Sequence, residues 1–312
     1  MLRIKGILMI ISGATLWGAT GPLIEYILQN TNLSVPFLLT LRLTIAGLVL
    51  LSLLCIKKAD VFSIWKQPSS RNQLVLFSVF GMLGIQYTFV AAIEESNAVV
   101  ATLLQFSAPI FVVLYVSLLH KKLPPGYQVI GIIGTLIGLF LLMTNGNFSN
   151  LLVSNKALLW GLALGITFAF YTLYPARLMK EWGVLIVVGW AMLCGGIVLG
   201  VINRVWSSNE WSIIVEPLVL SKLVILIIFG TMAFVLFLSS LKYISAVETS
   251  ILSSVEPLTA MMISALWFGM MLQTVQLYGV LLMIIFVSWL SVGGILKKSK
   301  SHQTGVAKNS SG

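Results

Sequence analysis

Residues 183–203 read GVLIVVGWAMLCGGIVLGVIN, a run that contains no charged side chain. Because an α-helix rises about 1.5 Å per residue, about 20 apolar residues are needed to cross the hydrocarbon core of a bilayer. The run is long enough, and charged residues stand on either side of it at Glu181 and Arg204. It therefore predicts one transmembrane helix.

The composition of the whole chain favours a membrane-embedded fold. Of its 312 residues, 58% are hydrophobic and only 9% are charged, and the mean hydropathy is +1.02. Soluble domains carry roughly a quarter charged residues. So few charges cannot cover a soluble globule, and we expect lipid to be the solvent for most of the surface.

The same pattern predicts an all-α integral membrane protein of ten transmembrane helices. The first apolar run follows Arg3 and Lys5 and continues to Leu28, which favours a spanning helix over a cleaved leader. The ten predicted spans are 7–28, 36–55, 73–93, 97–119, 127–144, 157–178, 183–203, 221–241, 246–267 and 274–294.

The positions of the basic residues predict the orientation of these spans. With the N-terminus in the cytoplasm, most of the 19 Lys and Arg residues fall in cytoplasmic segments, as the positive-inside rule requires. An even number of spans then places the C-terminus in the cytoplasm too. The basic residues form no stripe with interleaved aromatics, so the net charge of +10 reflects membrane topology and not a nucleic-acid partner.

Two weakly similar halves follow each other along the chain. Aligning Pro109 with Pro257 also aligns Gly131 with Gly279. Since each half holds five spans, an odd number, the second copy would insert upside down relative to the first, as in many transporters. The predicted domains are a first five-helix copy at 1–146, an inverted second copy at 147–296 and a disordered basic tail at 297–312.

Glu25 and Arg42 are charged residues inside predicted spans. A charge at the centre of a transmembrane helix costs roughly 2.5–3.5 kcal/mol on insertion scales. The two residues are almost equally far from the middle of the connection between the first two spans, so we expect them at similar depth. They could form a structural ion pair. Alternatively, Arg42 could face a cavity and bind a substrate carboxylate through its planar guanidinium.

Two polar helix faces, each beside a proline, are predicted to line a central site. Proline frees a backbone carbonyl of its helix, and matching broken helices in two copies are typical of transporter binding sites. The alternative is hydrogen bonding that only packs the helices together. The residues concerned are Thr102 and Gln105 before Pro109, and Thr249, Ser253 and Glu256 before Pro257.

Some aromatic side chains fall nearer the middle of the membrane than the interfaces that aromatic residues prefer. They are candidates for cavity walls, although core packing would also account for each of them. These residues are Trp17, Tyr87, Tyr171 and Tyr174. Gly134 and Gly138 form a small-xxx-small pair, which allows close contact between helices.

Motifs of other protein classes are missing from the sequence. It contains no GxxxxGK[ST] loop for nucleotide phosphates, no HExxH and no GxSxG. Its two cysteines, Cys55 and Cys194, fall in apolar segments and have no metal-binding spacing. We therefore expect a protein that is not an enzyme and that binds no cofactor or metal.

Several short motifs occur in order from about Lys5 to Gly294. They are Gly13-Ala-Thr-Leu-Trp17-Gly18, Leu41-Arg42-Leu43, Ala108-Pro109, Phe168-Ala-Phe-Tyr171-Thr-Leu-Tyr174, Val255-Glu256-Pro257, and Gln276 with Gly279. Through them the chain resembles the EamA-type branch of the drug/metabolite transporter superfamily. The resemblance implies a ten-helix inverted-repeat fold with a central cavity, and secondary transport, often export of amino acids or related metabolites. It points to Trp17, Arg42 and Glu256 as positions that match the family pattern.

The chain departs from this family at one pair of positions. Many relatives end the fourth and ninth helices with Gly-Glu, where this sequence reads His120-Lys121-Lys122 and Gly269-Met270-Met271. A gating role for those glutamates therefore does not carry over.

The residues and the resemblance together predict a secondary transporter in the cell (inner or plasma) membrane, working by alternating access. The expected partners are a small polar metabolite, membrane lipid and a proton carried by Glu256 if transport is coupled. The protein is expected to be a monomer or a homodimer. Facilitated diffusion or import of the same solutes is one alternative, and a non-transporting scaffold or sensor is another.

Overall fold

The computed structural model describes residues 2–147, 152–240, 243–244, 252–253 and 255–290. Within these ranges all regular structure is helical, and eight helices are long and apolar enough to cross a membrane. Two shorter apolar helices, Val255–Phe268 and Thr274–Leu290, follow them. In chain order the ten are α1 (Leu2–Asn30), α2 (Val35–Ile56), α3 (Pro68–Glu94), α4 (Ala98–Leu119), α5 (Gly126–Thr144), α6 (Asn155–Leu173), α7 (Val184–Ile202), α8 (Pro217–Ser240), α9 (Val255–Phe268) and α10 (Thr274–Leu290).

The first eight predicted spans each coincide with one of the eight long helices. The sixth span was predicted to reach residue 178, but α6 ends at Leu173. The physical reason is Pro175, which has no N–H to donate to the carbonyl of Tyr171 and so cannot continue the hydrogen-bond pattern of the helix. The ninth span was predicted over 246–267, of which 246–251 and 254 lie outside the described residues, and α9 begins at Val255.

Polar residues in the connections fix where several helices begin. Ser34, Asn97 and Ser154 stand directly before α2, α4 and α6, and the side chain of each accepts a hydrogen bond from a backbone N–H of the first turn. These N–H groups have no partner inside their own helix, so such caps stabilise the helix start.

Two helices are interrupted within the predicted spans. In α3 the residues Phe77–Leu83 form a π-helical segment between the α-helical parts Pro68–Leu76 and Gly84–Glu94. Such a segment shifts the face that the following turns present and is frequent at functional sites. In α4 the helix breaks after Gln105 and resumes at Ala108, because Pro109 cannot donate to the carbonyl of Gln105.

The helices pack in a pattern that exchanges partners between the two halves of the chain. α1 packs against α8 and α9, while α6 packs against α3 and α4. α2 packs against α7. The first helix of each half therefore contacts the third and fourth helices of the other half, and the second helices contact each other.

α5 and α10 meet at glycines. A Cβ atom at Gly138 would lie 2.7 Å from the carbonyl oxygen of Gly279, and one at Gly279 would lie 2.6 Å from the carbonyl oxygen of Gly138. Only residues without a side chain allow backbones to come this close. The predicted close contact at Gly138 is confirmed.

The outer surface of the helices is apolar. Large hydrophobic side chains such as Leu48, Ile133, Leu162, Ile197 and Leu281 are exposed, while Phe37, Phe77 and Ile24 are fully buried in the interior. An apolar exterior over consecutive helices is the surface that a bilayer solvates.

Candidate functional site

A small buried cavity lies between helices of both halves. Its lining residues are Trp17 of α1, Arg42, Leu43 and Ala46 of α2, Gln86 of α3, Met192 of α7, and Ile227, Gly230, Thr231 and Phe234 of α8. Trp17, Met192 and Thr231 lie near the middle of their helices. The cavity volume is about 10 Å³, which is room for about one water molecule.

Arg42 is the charged residue of this cavity, and its charge is not balanced there. The side chain is 7% exposed, and its Nη1 atom has no hydrogen-bond partner among the described residues. Gly230 makes room for the guanidinium, because a Cβ atom at that position would lie 3.1 Å from Nη2. None of the residues that line the cavity is acidic.

Trp17 forms an aromatic wall of the same cavity. Its ring makes edge contacts with Phe234 and Phe237, with ring centroids 5.4 Å apart in both cases. The aromatic cluster holds the indole in one orientation beside the guanidinium.

The predicted ion pair between Glu25 and Arg42 is not formed among the described residues. The buried Glu25 carboxylate instead accepts a hydrogen bond of 2.8 Å from the backbone N–H of Ala98 and one of 3.1 Å from Gln29 Nε2. Ala98 is the first residue of α4, whose free N–H groups and positive dipole end attract a carboxylate. The pair was predicted from the similar depth of the two charges. The start of α4 competes with Arg42 for the Glu25 carboxylate, because it offers both a free N–H group and a positive dipole end.

A second polar contact joins α4 and α9. Gln105 Nε2 of α4 donates a hydrogen bond of 3.2 Å to Glu256 Oε1 of α9, and Glu256 is 9% exposed. α1 lies against this pair at Gly18, where a Cβ atom would collide with the carbonyl oxygen of Glu256. Since Gly18 follows Trp17 directly, the same turn of α1 contacts the pair and the Arg42 cavity.

The other predicted polar residues take several positions. Thr102 is buried and its hydroxyl donates to the carbonyl of Ala98 at 2.7 Å. Ser253 lies just before α9, where its carbonyl accepts from the N–H of Glu256 at 2.9 Å. Pro257 is therefore in the first turn of α9 and causes no break inside it. Thr249 lies outside the described residues.

The three predicted tyrosines do not line the Arg42 cavity. Tyr171 stacks on Phe77 with centroids 5.6 Å apart, and Tyr174 stacks on Phe170 at 4.5 Å. Tyr87 makes an edge contact with Trp160 at 5.8 Å. Of the predicted cavity residues, the structure brings Trp17 and Arg42 to this cavity, and Gln105 and Glu256 to the neighbouring contact.

Gln86 and Thr231 are the polar cavity residues that sequence reasoning missed. Both are polar residues within long apolar helices, which is a signal that a complete survey of such residues would have found. Gln86 lies three residues after the π-helical segment of α3. The side of α3 on which its side chain lies therefore cannot be predicted from the regular spacing of an α-helix. Among the described residues, no group of three His, Cys, Asp or Glu side chains could hold a metal ion.

Comparison with known proteins agrees with this architecture. The family model of the EamA-like transporters matches residues 4–144 and 155–292. An uncharacterized inner membrane transporter of Salmonella typhimurium, YicL, is 35% identical over 288 residues, which are 92% of this chain and 95% of that protein. An uncharacterized transporter of Bacillus subtilis, YwfM, is 26% identical over 279 residues, 89% of this chain and 90% of that protein.

A solved crystal structure, described only as that of a protein, superposes with a TM-score of 0.62 at 16% identity and covers 92% of this chain and 96% of its own. At that identity it shows a shared fold alone. The predicted multi-pass membrane protein is confirmed by the apolar helices together with the family match. The chain belongs to the EamA-like transporter family.

Proposed function

We propose that the protein is a secondary transporter that moves a small polar metabolite across the cell membrane by alternating access. The observation that carries the proposal is the buried cavity between helices of both halves, in which Arg42, Gln86 and Thr231 stand among apolar walls. A packed bundle has no structural need for an unbalanced charge in its interior, because such a charge destabilises the fold. A solute site at the contact between two moving units does need polar groups there.

The two units would be inverted five-helix copies, 1–146 and 147–296, in a bundle of ten spans with both termini in the cytoplasm. The exchange of partners between the halves supports this organisation, since a pseudo-twofold axis relating two copies produces such reciprocal contacts. The two stretches matched by the family model, 4–144 and 155–292, support it as well. α9 and α10 would be the last two spans.

The proposed transport pathway includes the cavity and the neighbouring contact between Gln105 and Glu256. The two contact the same turn of α1, at Trp17 and Gly18. Rocking of one copy against the other would separate α4 from α9 and open this contact. Amino acids or related compounds fit the family resemblance as substrates, and the same resemblance favours export.

The experiment that tests the proposal is flux into proteoliposomes. Radiolabelled amino acids and other small metabolites would be supplied with and without an imposed pH gradient, with empty liposomes as the control. Saturable flux supports a transporter, and flux that rises with the gradient supports coupling to protons. Saturable flux that ignores the gradient would make the protein a facilitator. Folded protein that moves none of the solutes would favour a non-transporting scaffold or sensor.

A further inference from the structure

The cavity presents a positive charge and lacks a matching negative charge. Arg42 carries a guanidinium that stays charged in proteins. Trp17 contributes an indole N–H and Gln86 a side-chain amide. The Thr231 hydroxyl donates to the carbonyl of Ile227 at 2.7 Å, so its proton is already used.

The buried carboxylates of Glu25 and Glu256 have hydrogen-bond partners other than Arg42. Glu25 accepts hydrogen bonds from Ala98 and Gln29, and Glu256 accepts one from Gln105. The residues that line the cavity include no carboxylate. The negative charge that Arg42 needs is therefore not supplied by its own lining.

From this donor set we infer that the cavity binds the carboxylate group of the transported solute, with the guanidinium of Arg42 as its main contact. The inference rests on the proposed transport function and narrows its substrate class. A planar guanidinium matches a carboxylate with two parallel hydrogen bonds, which a point charge cannot do. Trp17 and Phe234 would lie against the apolar part of the solute.

The same lining predicts which group of the solute is not recognised. An ammonium group in the cavity would lie beside the positive charge of Arg42. The lining offers it the neutral acceptor oxygens of Gln86 and Thr231 but no acidic side chain that would offset the repulsion. The carboxylate is therefore essential for binding, whereas an α-amino group is dispensable. At about 10 Å³ the cavity has room for about one water molecule in the present arrangement, so the carboxylate and the rest of the solute bind as the helices of the two halves move apart.

The test compares matched probes that differ in one group. Alanine, propionate and alaninamide share a small body, and only the amide lacks the carboxylate. Binding to the full chain in detergent is measured by ligand-dependent thermal stabilisation and by calorimetry, and flux is measured separately in proteoliposomes. We expect alanine and propionate to bind with similar affinity, and alaninamide about 10- to 100-fold more weakly, as loss of a charge-assisted contact implies.

Variants of Arg42 and its neighbours test whether the guanidinium causes the preference for acids over the amide. Arg42→Gln should bind acid and amide equally weakly, and Arg42→Lys should keep part of the preference because it retains the charge without the planar fork. Gly230→Ala should weaken binding of the acids without removing any charge, since its Cβ would lie 3.1 Å from Nη2. Arg71→Gln removes one exposed positive charge outside the cavity and should leave the preference unchanged.

The outcomes separate the inference from the proposed function. Wild-type protein that treats acid and amide alike, or an Arg42→Gln variant that is folded and keeps the wild-type preference, overturns the carboxylate site. If the protein binds acids more tightly than the amide but transports none of the solutes, the carboxylate site is supported and the proposed transport function is refuted. Because Gly230→Ala leaves Arg42 in place, it still tests the site if Arg42→Gln fails to fold.

Discussion

Replacing Glu25 with alanine should destabilise the folded protein by about 2 kcal/mol. The backbone N–H of Ala98 is fully buried and bonds to Glu25 Oε2 at 2.8 Å. Loss of the Glu25 carboxylate leaves this buried N–H without an acceptor, at a cost of about 1–3 kcal/mol. It also removes a negative charge from a helix start, worth roughly 0.3–2 kcal/mol. Relief of the cost of burying the carboxylate offsets part of the sum.

A graded series makes this reasoning testable. Glu25→Gln keeps an acceptor oxygen and should lose about half as much as Glu25→Ala. Glu94 is exposed and makes no hydrogen bond or ion pair in the described part of the chain, so Glu94→Ala is the control. Unfolding would be followed by tryptophan fluorescence during denaturant titration in detergent micelles. If Glu25→Ala and Glu94→Ala unfold at the same denaturant concentration, the capping role is refuted.

Three further changes have expected outcomes. Gly138→Ala should lower the free energy of unfolding by about 1–3 kcal/mol in the same assay, because its Cβ would lie 2.7 Å from a carbonyl oxygen of α10. Gly126→Ala is the control and should leave stability unchanged, because its Cβ would have nothing within 4 Å. Glu210→Ala should lower the thermal midpoint, because its carboxylate accepts from the N–H and hydroxyl of Ser34 at 2.6 and 3.0 Å and ties the connection before α2 to the connection before α8. Glu256→Gln should remove the response of flux to a pH gradient while the protein stays folded, measured in proteoliposomes.

Each of these has an outcome that would count against it. Equal stability of the Gly138 and Gly126 variants would mean that α5 and α10 do not meet at that glycine. An unchanged midpoint in Glu210→Ala would show that the hydrogen bonds between Ser34 and Glu210 contribute nothing measurable to stability. A Glu256→Gln protein with wild-type dependence on the pH gradient would exclude Glu256 as the proton carrier.

Helix positions could be predicted because the solvent is lipid. Each span must be both long and apolar, and the break in α4 could be anticipated from Pro109, which lacks a backbone donor. Gly138 was identified as a close-contact position on spacing alone. These features depend only on residues close together in the chain, so they can be predicted from the sequence.

Partners of buried polar groups could not be predicted in the same way. Glu25 bonds to a backbone N–H 73 residues away, and backbone groups carry no residue-specific signal. Tyr171 and Tyr174 were expected to line a cavity, yet their rings stack on Phe77 and Phe170. Depth in the membrane follows from sequence, whereas the direction of a side chain at that depth depends on how helices pack.

The reciprocal packing of the halves has a consequence for biosynthesis. α1 emerges first from the ribosome, yet its main partners, α8 and α9, are the last but two and last but one of the ten helices. Until α8 and α9 are made, the surfaces of α1 at Gly13 and Gly18, which contact these two helices in the finished bundle, can contact only lipid or other helices. Long-range contacts of this kind form late and slow the search for the native state. The mature bundle is therefore closed by its C-terminal helices, and a chain truncated before α8 should insert into the bilayer but remain a target for quality-control proteolysis.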